Sequence, residues 1–168
     1  MRILFAAGTQ FPFPRMDQAV LELSRQRPDW PLVYQAGPEA ALQQFSSLPN
    51  LQVQPLFPAE QYRQLFAEAD LVVTHAGMGN LLACLEQGKP FLMLPRLVRL
   101  GEHRNDHQVD TAEAITERYG IPFHEDVDSL VRSILSYDAA SAPAVDGEAI
   151  LRQRKAFGKN LNALIGSL

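Results

Sequence analysis

Two glycines, Gly77 and Gly79, stand where an apolar segment gives way to a helical pattern. Residues 70–73 are typical of a buried strand, and residues 81–86 have the composition of a helix. The first N–H groups of a helix have no partner within it and carry the positive end of its dipole, and glycine brings no Cβ that would keep an anion away. The stretch 74–80 therefore predicts a phosphate site, which we interpret as a cradle for a diphosphate.

Two further polar segments follow predicted strands. Residues 8–10 come after the apolar run 2–7, and residues 96–108 come after the run 91–94. Strands alternate with helices along the chain and are apolar on both faces, which predicts a parallel sheet with helices on each side, the doubly wound α/β arrangement. Ligands of such sheets bind outside the carboxyl ends of the strands, so we expect these loops and the glycine turn to form one site.

The spacing of apolar residues sets the expected elements. Strands are predicted at 2–7, 32–34, 51–53, 70–73, 91–94 and, as a short edge strand, 121–123, and helices at 16–23, 38–46, 58–69, 81–86, 109–119 and 130–135. Residues 1–136 then form one domain, residues 137–147 a linker, and residues 148–168 a C-terminal amphipathic helix.

The composition is that of an ordinary soluble domain. The chain has 168 residues, of which 46% are hydrophobic and 20% charged, and a formal net charge of −4. A nucleic-acid groove would favour a basic face, so nucleic-acid partners are not expected. Gly8 and Pro12 come too early for a signal peptide, and no apolar run approaches the ~20 residues of a membrane span, so we expect a cytoplasmic protein. The single cysteine, Cys84, is expected to be a core residue.

Three parts of the predicted site also have plainer interpretations. The turn at Gly77 and Gly79 could be a tight connection that requires positive φ. His75 could be a hydrogen-bonded residue at a strand end, or a contact to phosphate or to a transition state. Arg96 could be a solvated loop charge, although its place after a strand also suits a phosphate partner.

A series of spaced motifs resembles a known enzyme family. The motifs are residues 75–79, 86–90, 94–96 and 101–108, and residues 7–13 fit the same pattern. In order and spacing they resemble the C-terminal half of the family 28 glycosyltransferases, over about residues 1–136. The chain is most similar to the small soluble subunits of two-part enzymes that extend lipid-linked exopolysaccharide or capsule repeats, and also to the soluble subunit of the dolichol-pathway N-acetylglucosaminyltransferase.

The resemblance implies a Rossmann-like domain that corresponds to the C-terminal half of a GT-B glycosyltransferase, the half that holds a UDP-sugar. It also implies a second, membrane-anchored subunit that contacts the acceptor, a lipid-linked saccharide, and often supplies the base. This chain would then be peripheral at the cytoplasmic face of the membrane. The implied reaction transfers the sugar with inversion at the anomeric carbon. A subunit that binds UDP-sugar and stabilises a catalytic partner, without chemistry of its own, is the alternative.

The resemblance also assigns site residues by position. Gly8, Thr9 and residues 77–80 would face the diphosphate, and the hydroxyls of the donor sugar would be contacted by Asp106, His107 and Gln108. Many relatives place a ribose-binding glutamate where this chain has Ala83, and Glu86, about one helical turn further on, is the candidate substitute. The chain offers no identifiable catalytic base. The full set of candidate donor-binding residues is Gly8, Thr9, His75, Gly77, Met78, Gly79, Asn80, Glu86, Arg96, Glu102, His103, Asp106, His107 and Gln108.

The same loop contains residues that can bind metal ions. His103 and His107 stand four apart, with Glu102 and Asp106 beside them. No helical pattern covers the whole group, and a nucleotide sugar accounts for the same residues. Many GT-B enzymes use helix dipoles and side-chain donors in place of a metal, so neither a metal nor another cofactor is expected.

The expected C-terminal helix has a basic side and an apolar side. The basic residues are Arg152, Arg154, Lys155 and Lys159, and the apolar residues are Ile150, Leu151, Phe157, Leu161, Leu164 and Ile165. The helix could pack on its own domain, dock on the partner or lie on anionic lipid. Because the final helix of GT-B enzymes often crosses to the other half, docking on the partner is the favoured interpretation.

Overall fold

The centre of the molecule is a five-stranded sheet in which all neighbouring strands are parallel. The computed structural model describes the backbone of residues 1–165 and the side chains of residues 1–156. The strands are β1 (Ile3–Ala6), β2 (Leu32–Gln35), β3 (Leu51–Gln54), β4 (Leu71–Thr74) and β5 (Phe91–Met93), in the spatial order β3-β2-β1-β4-β5. The predicted parallel α/β sheet is thus confirmed.

Helices connect the strands and cover the sheet. They are α1 (Pro14–Gln26), α2 (Ala59–Glu68), α3 (Met78–Glu86), α4 (His107–Tyr119), α5 (Val127–Leu135) and α6 (Gly147–Ile165), and short 3-10 turns lie at Leu42–Phe45, Val98–Leu100 and Ala139–Ser141. Pro14 starts α1 at a position where its missing N–H costs no hydrogen bond. Gly120 ends α4 with φ +70, a conformation that favours glycine. None of the described helices is long and apolar enough to cross a membrane.

The sheet is buried on both faces because successive side chains of a strand point in opposite directions. Ile3 and Phe5 of β1 enter one core, against α1 and α5, whereas Leu4 enters a second core, against α2, α3 and α4. Cys84 lies in this second core, and burial raises the pKa of its thiol to about 12. It is therefore a small packing residue, as expected.

Two expected elements are shorter in the structure. Of the helix predicted at 38–46, only the 3-10 turn Leu42–Phe45 forms, since Glu39 holds φ +65. The edge strand predicted at 121–123 is reduced to a single bridge between Phe123 and Met93. Pro122 has no N–H with which to extend that pairing.

Helix α6 begins packed on its own domain. A Cβ at Gly147 would collide with the backbone carbonyl of Glu86 at the end of α3. Arg154 donates a hydrogen bond of 2.5 Å to the Glu86 carboxylate, and Ile150 packs against the second core. Packing on the domain is therefore found for the start of the helix. The side chains of Phe157, Lys159, Leu161, Leu164 and Ile165, and all of residues 166–168, lie outside the described part of the chain.

Candidate functional site

A cavity of about 510 Å³ lies at the carboxyl edge of the sheet, between the loops that follow β1, β4 and β5. Its lining residues are Gly8, Thr9, Gln10, Phe11, Gln35, Tyr62, His75, Gly77, Met78, Gly79, Asn80, Arg96, His103 and Gln108. Ten of the fourteen candidate residues are among them, and Glu86, Glu102, Asp106 and His107 are not. No carboxylate is included, so within the described residues the lining holds cationic and neutral groups only.

The amino end of α3 opens into this cavity. Within the described residues, the N–H groups of Met78, Gly79 and Asn80 donate to no protein acceptor, and Leu81 is the first residue of the helix to donate, to the Gly77 carbonyl. A Cβ built on Gly79 would meet no atom within 4 Å, so the space in front of this turn is open. Unpaired donors at the positive end of a helix are well placed to bind an anion.

The His75 imidazole fills the space between two glycines of the site. A Cβ on Gly8 would lie 2.9 Å from the ring, and a Cβ on Gly77 would overlap it. Gly8 also has φ +93, whereas Gly77 has φ −86. The interpretation of the Gly77 turn as a connection that requires positive φ is therefore wrong. Glycine is needed at this position because the imidazole occupies the space of a side chain.

His75 is held in its neutral form. Nδ1 lies 3.3 Å from the carbonyl oxygen of Ala6, which only accepts, so Nδ1 carries the proton and Nε2 is an acceptor. Burial lowers the pKa of His75 to about 4, and the positive charge of Arg96 acts in the same direction. At neutral pH this side chain thus brings no charge to the cavity.

A chain of hydrogen bonds fixes the side chain of Asn80. The Tyr62 hydroxyl donates to Asn80 Oδ1 at 3.1 Å, and Asn80 Nδ2 donates to Thr74 Oγ1 at 3.1 Å. Burial raises the pKa of Tyr62, so its hydroxyl stays protonated as the donor. These bonds fix the orientation of the amide, while the backbone N–H of Asn80 has no acceptor within the described residues and is left to a ligand.

Arg96 is buried, with 2% of its surface exposed, so its interpretation as a solvated loop charge is wrong. Its two terminal nitrogens donate to the carbonyl oxygens of Ala7, Phe11, Pro12 and Glu102, at 2.6–3.3 Å. The guanidinium carbon also lies 4.4 Å from the centre of the Phe13 ring. Arg96 therefore holds the loop after β1 against the loop after β5, and these loops form two walls of the cavity.

Glu102 lies behind the cavity wall and pairs with Arg15. Arg15 Nε donates to Glu102 Oε1 at 2.8 Å, and a second guanidinium nitrogen contacts Oε2. The Leu97 N–H donates to the same carboxylate at 3.0 Å. Both side chains of the ion pair are largely buried, with 11% and 4% exposed. The carboxylate is thus committed within the protein and is not placed to bind a sugar.

The loop after β5 sends only part of its predicted residues to the cavity. Gln108 Oε1 accepts a hydrogen bond of 3.1 Å from the Arg96 N–H, which leaves its Nε2 as a donor. The His103 ring packs edge-on against Phe11, with centroids 5.9 Å apart. Asp106 and His107 are exposed where α4 begins, outside the cavity, because the helix turns their side chains toward solvent.

Glu86 does not reach the cavity either. It ends α3 at the opposite end from the glycine turn, where its carboxylate is bound by Arg154. Its proposed ribose contact is therefore corrected: in this structure Glu86 anchors α6. The described residues contain no group of three or more His, Cys, Asp or Glu side chains that could hold a metal ion.

Three lining residues lie outside the loops predicted for the site: Phe11, Gln35 and Tyr62. Gln10 belongs to the predicted loop 8–10 but is not among the fourteen named candidates. Tyr62 lies within the helix predicted at 58–69, away from any strand end. Gln35 ends β2, and its Oε1 accepts from the Phe57 N–H at 3.1 Å. Its place at the carboxyl end of a central strand was the available signal, since the other site loops also follow strand ends.

The chain and its fold are similar to those of known proteins. The family model described as glycosyltransferase family 28 C-terminal domain matches residues 2–144. No match was found among curated proteins. The structure of the glycotransferase of kitacinnamycin is similar, with a TM-score of 0.62 and 24% identity over 90% of this chain and 38% of that one.

Two further solved structures share the fold. MurG of Acinetobacter baumannii has a TM-score of 0.58 and 19% identity, over 81% of this chain and 42% of its own. The solution structure of ALG13 has a TM-score of 0.57 and 17% identity, over 86% of this chain and 88% of its own. The chain thus spans about two fifths of the first two proteins and most of the third. Through the family match over most of its length, this chain belongs to glycosyltransferase family 28, as a C-terminal domain of that family.

Proposed function

We propose that this chain is the donor-binding subunit of a UDP-sugar-dependent inverting glycosyltransferase that acts on a lipid-linked saccharide in polysaccharide biosynthesis. The observation that carries the proposal is the set of N–H groups at the start of α3 that have no acceptor among the described residues and face an open cavity in a domain of this family. These donors suit a diphosphate, both bound and as the leaving group.

The donor's diphosphate would lie between the start of α3 and the loop after β1. Met78, Gly79 and Asn80 offer backbone N–H groups from one side, and Gly8 and Thr9 line the other. An oxyanion bound by such donors is stabilised as negative charge develops on it, which favours departure of UDP. The donor sugar would face Gln108 and His103, whose side chains line the same cavity.

The acceptor and the general base would come from a second, membrane-anchored subunit. The match covers 38% and 42% of two similar structures but 88% of ALG13, which supports a domain that works together with a second one. No carboxylate of the described residues lines the cavity, and the pKa of His75, lowered to about 4, makes its free Nε2 a weak base. A base supplied by the partner accounts for both facts.

The same lack of a lining carboxylate favours a second candidate function. In this alternative the chain binds UDP-sugar and stabilises a catalytic partner, without contributing to the chemistry. The two functions differ in what happens when donor contacts are removed, because a stabilising subunit would tolerate the loss as long as the complex forms.

Titration of the purified chain with UDP and a panel of UDP-sugars tests donor binding. Gln108→Glu is the most informative variant, since it keeps the oxygen that accepts from the Arg96 N–H and replaces the free Nε2 donor by a negative oxygen. We expect it to weaken UDP-sugar binding at least about tenfold while the fold is retained. Gln18→Ala, at an exposed position of α1, is the matched control.

Activity is measured with the membrane-anchored subunit present. We expect Gly77→Val and Gln108→Glu to abolish transfer while the complex still forms, because the first displaces His75 and the second repels the donor. The chain alone should show little or no transfer. Full transfer by both variants would favour the stabilising role, and failure of the wild-type chain to bind UDP or any UDP-sugar would refute the proposal.

A further inference from the structure

The guanidinium of Arg96 is a buried cation whose hydrogen-bond partners within the described residues are all neutral. Four carbonyl oxygens accept from its terminal N–H groups, and the guanidinium carbon lies over the Phe13 ring, 4.4 Å from the ring centroid. These groups replace part of its hydration but bring no negative charge. A buried charge of this kind is costly unless an opposite charge comes near it.

The Glu102 carboxylate, whose charge acts on Arg96, is already neutralised by another cation. Glu102 is bound by Arg15 through two guanidinium nitrogens, whereas Arg96 contacts only the backbone carbonyl of Glu102. We call these three residues the Arg15–Glu102–Arg96 cluster. It contains two guanidiniums and one carboxylate, so it carries one positive charge in excess.

This charge faces the cavity. Arg96 lines it, whereas Arg15 and Glu102 lie behind the wall. The charge of Arg96 contributes to the lowered pKa of His75, a neighbouring lining residue. Burial lowers the pKa of Arg96 itself, but a guanidinium remains charged at neutral pH.

We propose that the excess positive charge of the Arg15–Glu102–Arg96 cluster selects the charged diphosphate of the donor over the uncharged nucleoside. This inference rests on the proposed function. Arg96 acts as a positioning residue and as a fixed charge, because described residues accept from four of its five N–H donors and leave Nε–H for a direct contact. Its charge attracts the diphosphate, and its hydrogen bonds keep the Gly8 loop in place.

The test compares the affinities of UDP and uridine for four proteins: wild type, Arg96→Gln, Arg96→Lys and Glu102→Gln. The UDP-to-uridine affinity ratio isolates the contribution of charge, since a general distortion of the cavity weakens both ligands. Arg96→Gln should lower this affinity ratio about tenfold, because it removes one unit of positive charge close to the bound diphosphate. Arg96→Lys keeps the charge, so its ratio should stay within about threefold of wild type even if both ligands bind more weakly.

Glu102→Gln should change the UDP-to-uridine affinity ratio in the opposite direction. It removes the negative charge while retaining the shape of the side chain, so the ratio should rise several-fold and fall back with added salt. A misfolded protein would not bind UDP more tightly, which makes this variant independent of any folding defect in Arg96→Gln.

The inference is overturned if Arg96→Gln weakens UDP and uridine equally, or if Glu102→Gln leaves the ratio unchanged or lowers it. If the wild-type chain binds UDP and the variants give either of these results, the proposed function stands and only the role of the cluster's charge is rejected. Wild-type chain that binds neither UDP nor any UDP-sugar refutes the proposed function itself.

Discussion

Protonation of His75 should make the protein less stable in acid. The pKa of this side chain is lowered from its ordinary 6.5 to about 4 by burial, so the folded chain leaves it neutral where the unfolded chain protonates it. Between these two values the unfolded state binds more protons, and the stability therefore falls as the pH falls. Above the ordinary pKa of 6.5 the imidazole is neutral in both the folded and the unfolded chain, so its full contribution to stability is present.

The size of the effect follows from the two pKa values. From about pH 7 to about pH 5 the linkage amounts to about 2 kcal/mol, because the unfolded histidine becomes almost fully protonated while the folded one does not. For a domain of this length, about 2 kcal/mol corresponds to a decrease in Tm of roughly 4–8 °C.

Thermal unfolding at the two pH values, at constant ionic strength, measures this term. His75→Gln retains a side-chain donor for the Ala6 carbonyl but cannot be protonated, so its Tm should fall less on acidification than that of the wild type by the amount given above. His107→Gln is the control, since the His107 side chain is 80% exposed. Other titrating groups, among them Asp17 and His124, are the same in all three proteins and cancel in the comparison.

An equal loss of Tm in wild type and His75→Gln would refute the reasoning. So would a pH-dependent Tm loss that is reduced as much by His107→Gln as by His75→Gln. Either result would mean that His75 is not the buried neutral group that the hydrogen bond to Ala6 and the contacts with the two glycines indicate.

Three further predictions concern the walls of the cavity and the attachment of α6. Tyr62→Phe removes the hydrogen bond to Asn80 and should weaken UDP binding about threefold to tenfold in a titration, with a change in stability of about 1 kcal/mol. Glu86→Gln should leave UDP affinity unchanged and cost at most about 1 kcal/mol in chemical denaturation, because it loses only the Arg154 ion pair; a large affinity loss would restore its ribose role. Gly147→Ala should cost about 1–3 kcal/mol and increase protease cleavage before α6, because its Cβ strikes the end of α3.

The sequence predicted the part of the site that depends on local pattern. The strand-to-helix turn at Gly77 and the loops after β1 and β5 were placed correctly, because apolar runs and glycines mark strand ends and parallel strands bring those ends to one edge. The reason for glycine at position 77 was not predictable. It depends on where the His75 ring lies, and that is a tertiary contact.

The rest required knowledge of distant partners. Arg96 and Glu102 stand in a polar segment typical of an exposed loop, and both are buried because the carbonyls of the loop after β1 and the Arg15 side chain meet them. Glu86 was assigned to the ligand from its position on a helix, whereas Gly147 and Arg154 of the later helix cover it. Periodicity indicates which residues share a face but not which later segment will pack on it.

Three of the four hydrogen bonds of the Arg96 guanidinium join positions 84, 85 and 89 residues apart in the chain. A nascent chain that has made only the first four strands has the glycine turn but lacks the residue that fixes the loop after β1. Ribosome-bound fragments ending before β5 should therefore fail to be retained on immobilised UDP. Retention should begin only once β5, Gln108 and the helices α4 and α5, which complete the two cores, have left the exit tunnel. Retention on immobilised UDP would then show that all residues needed to form the cavity have been synthesised.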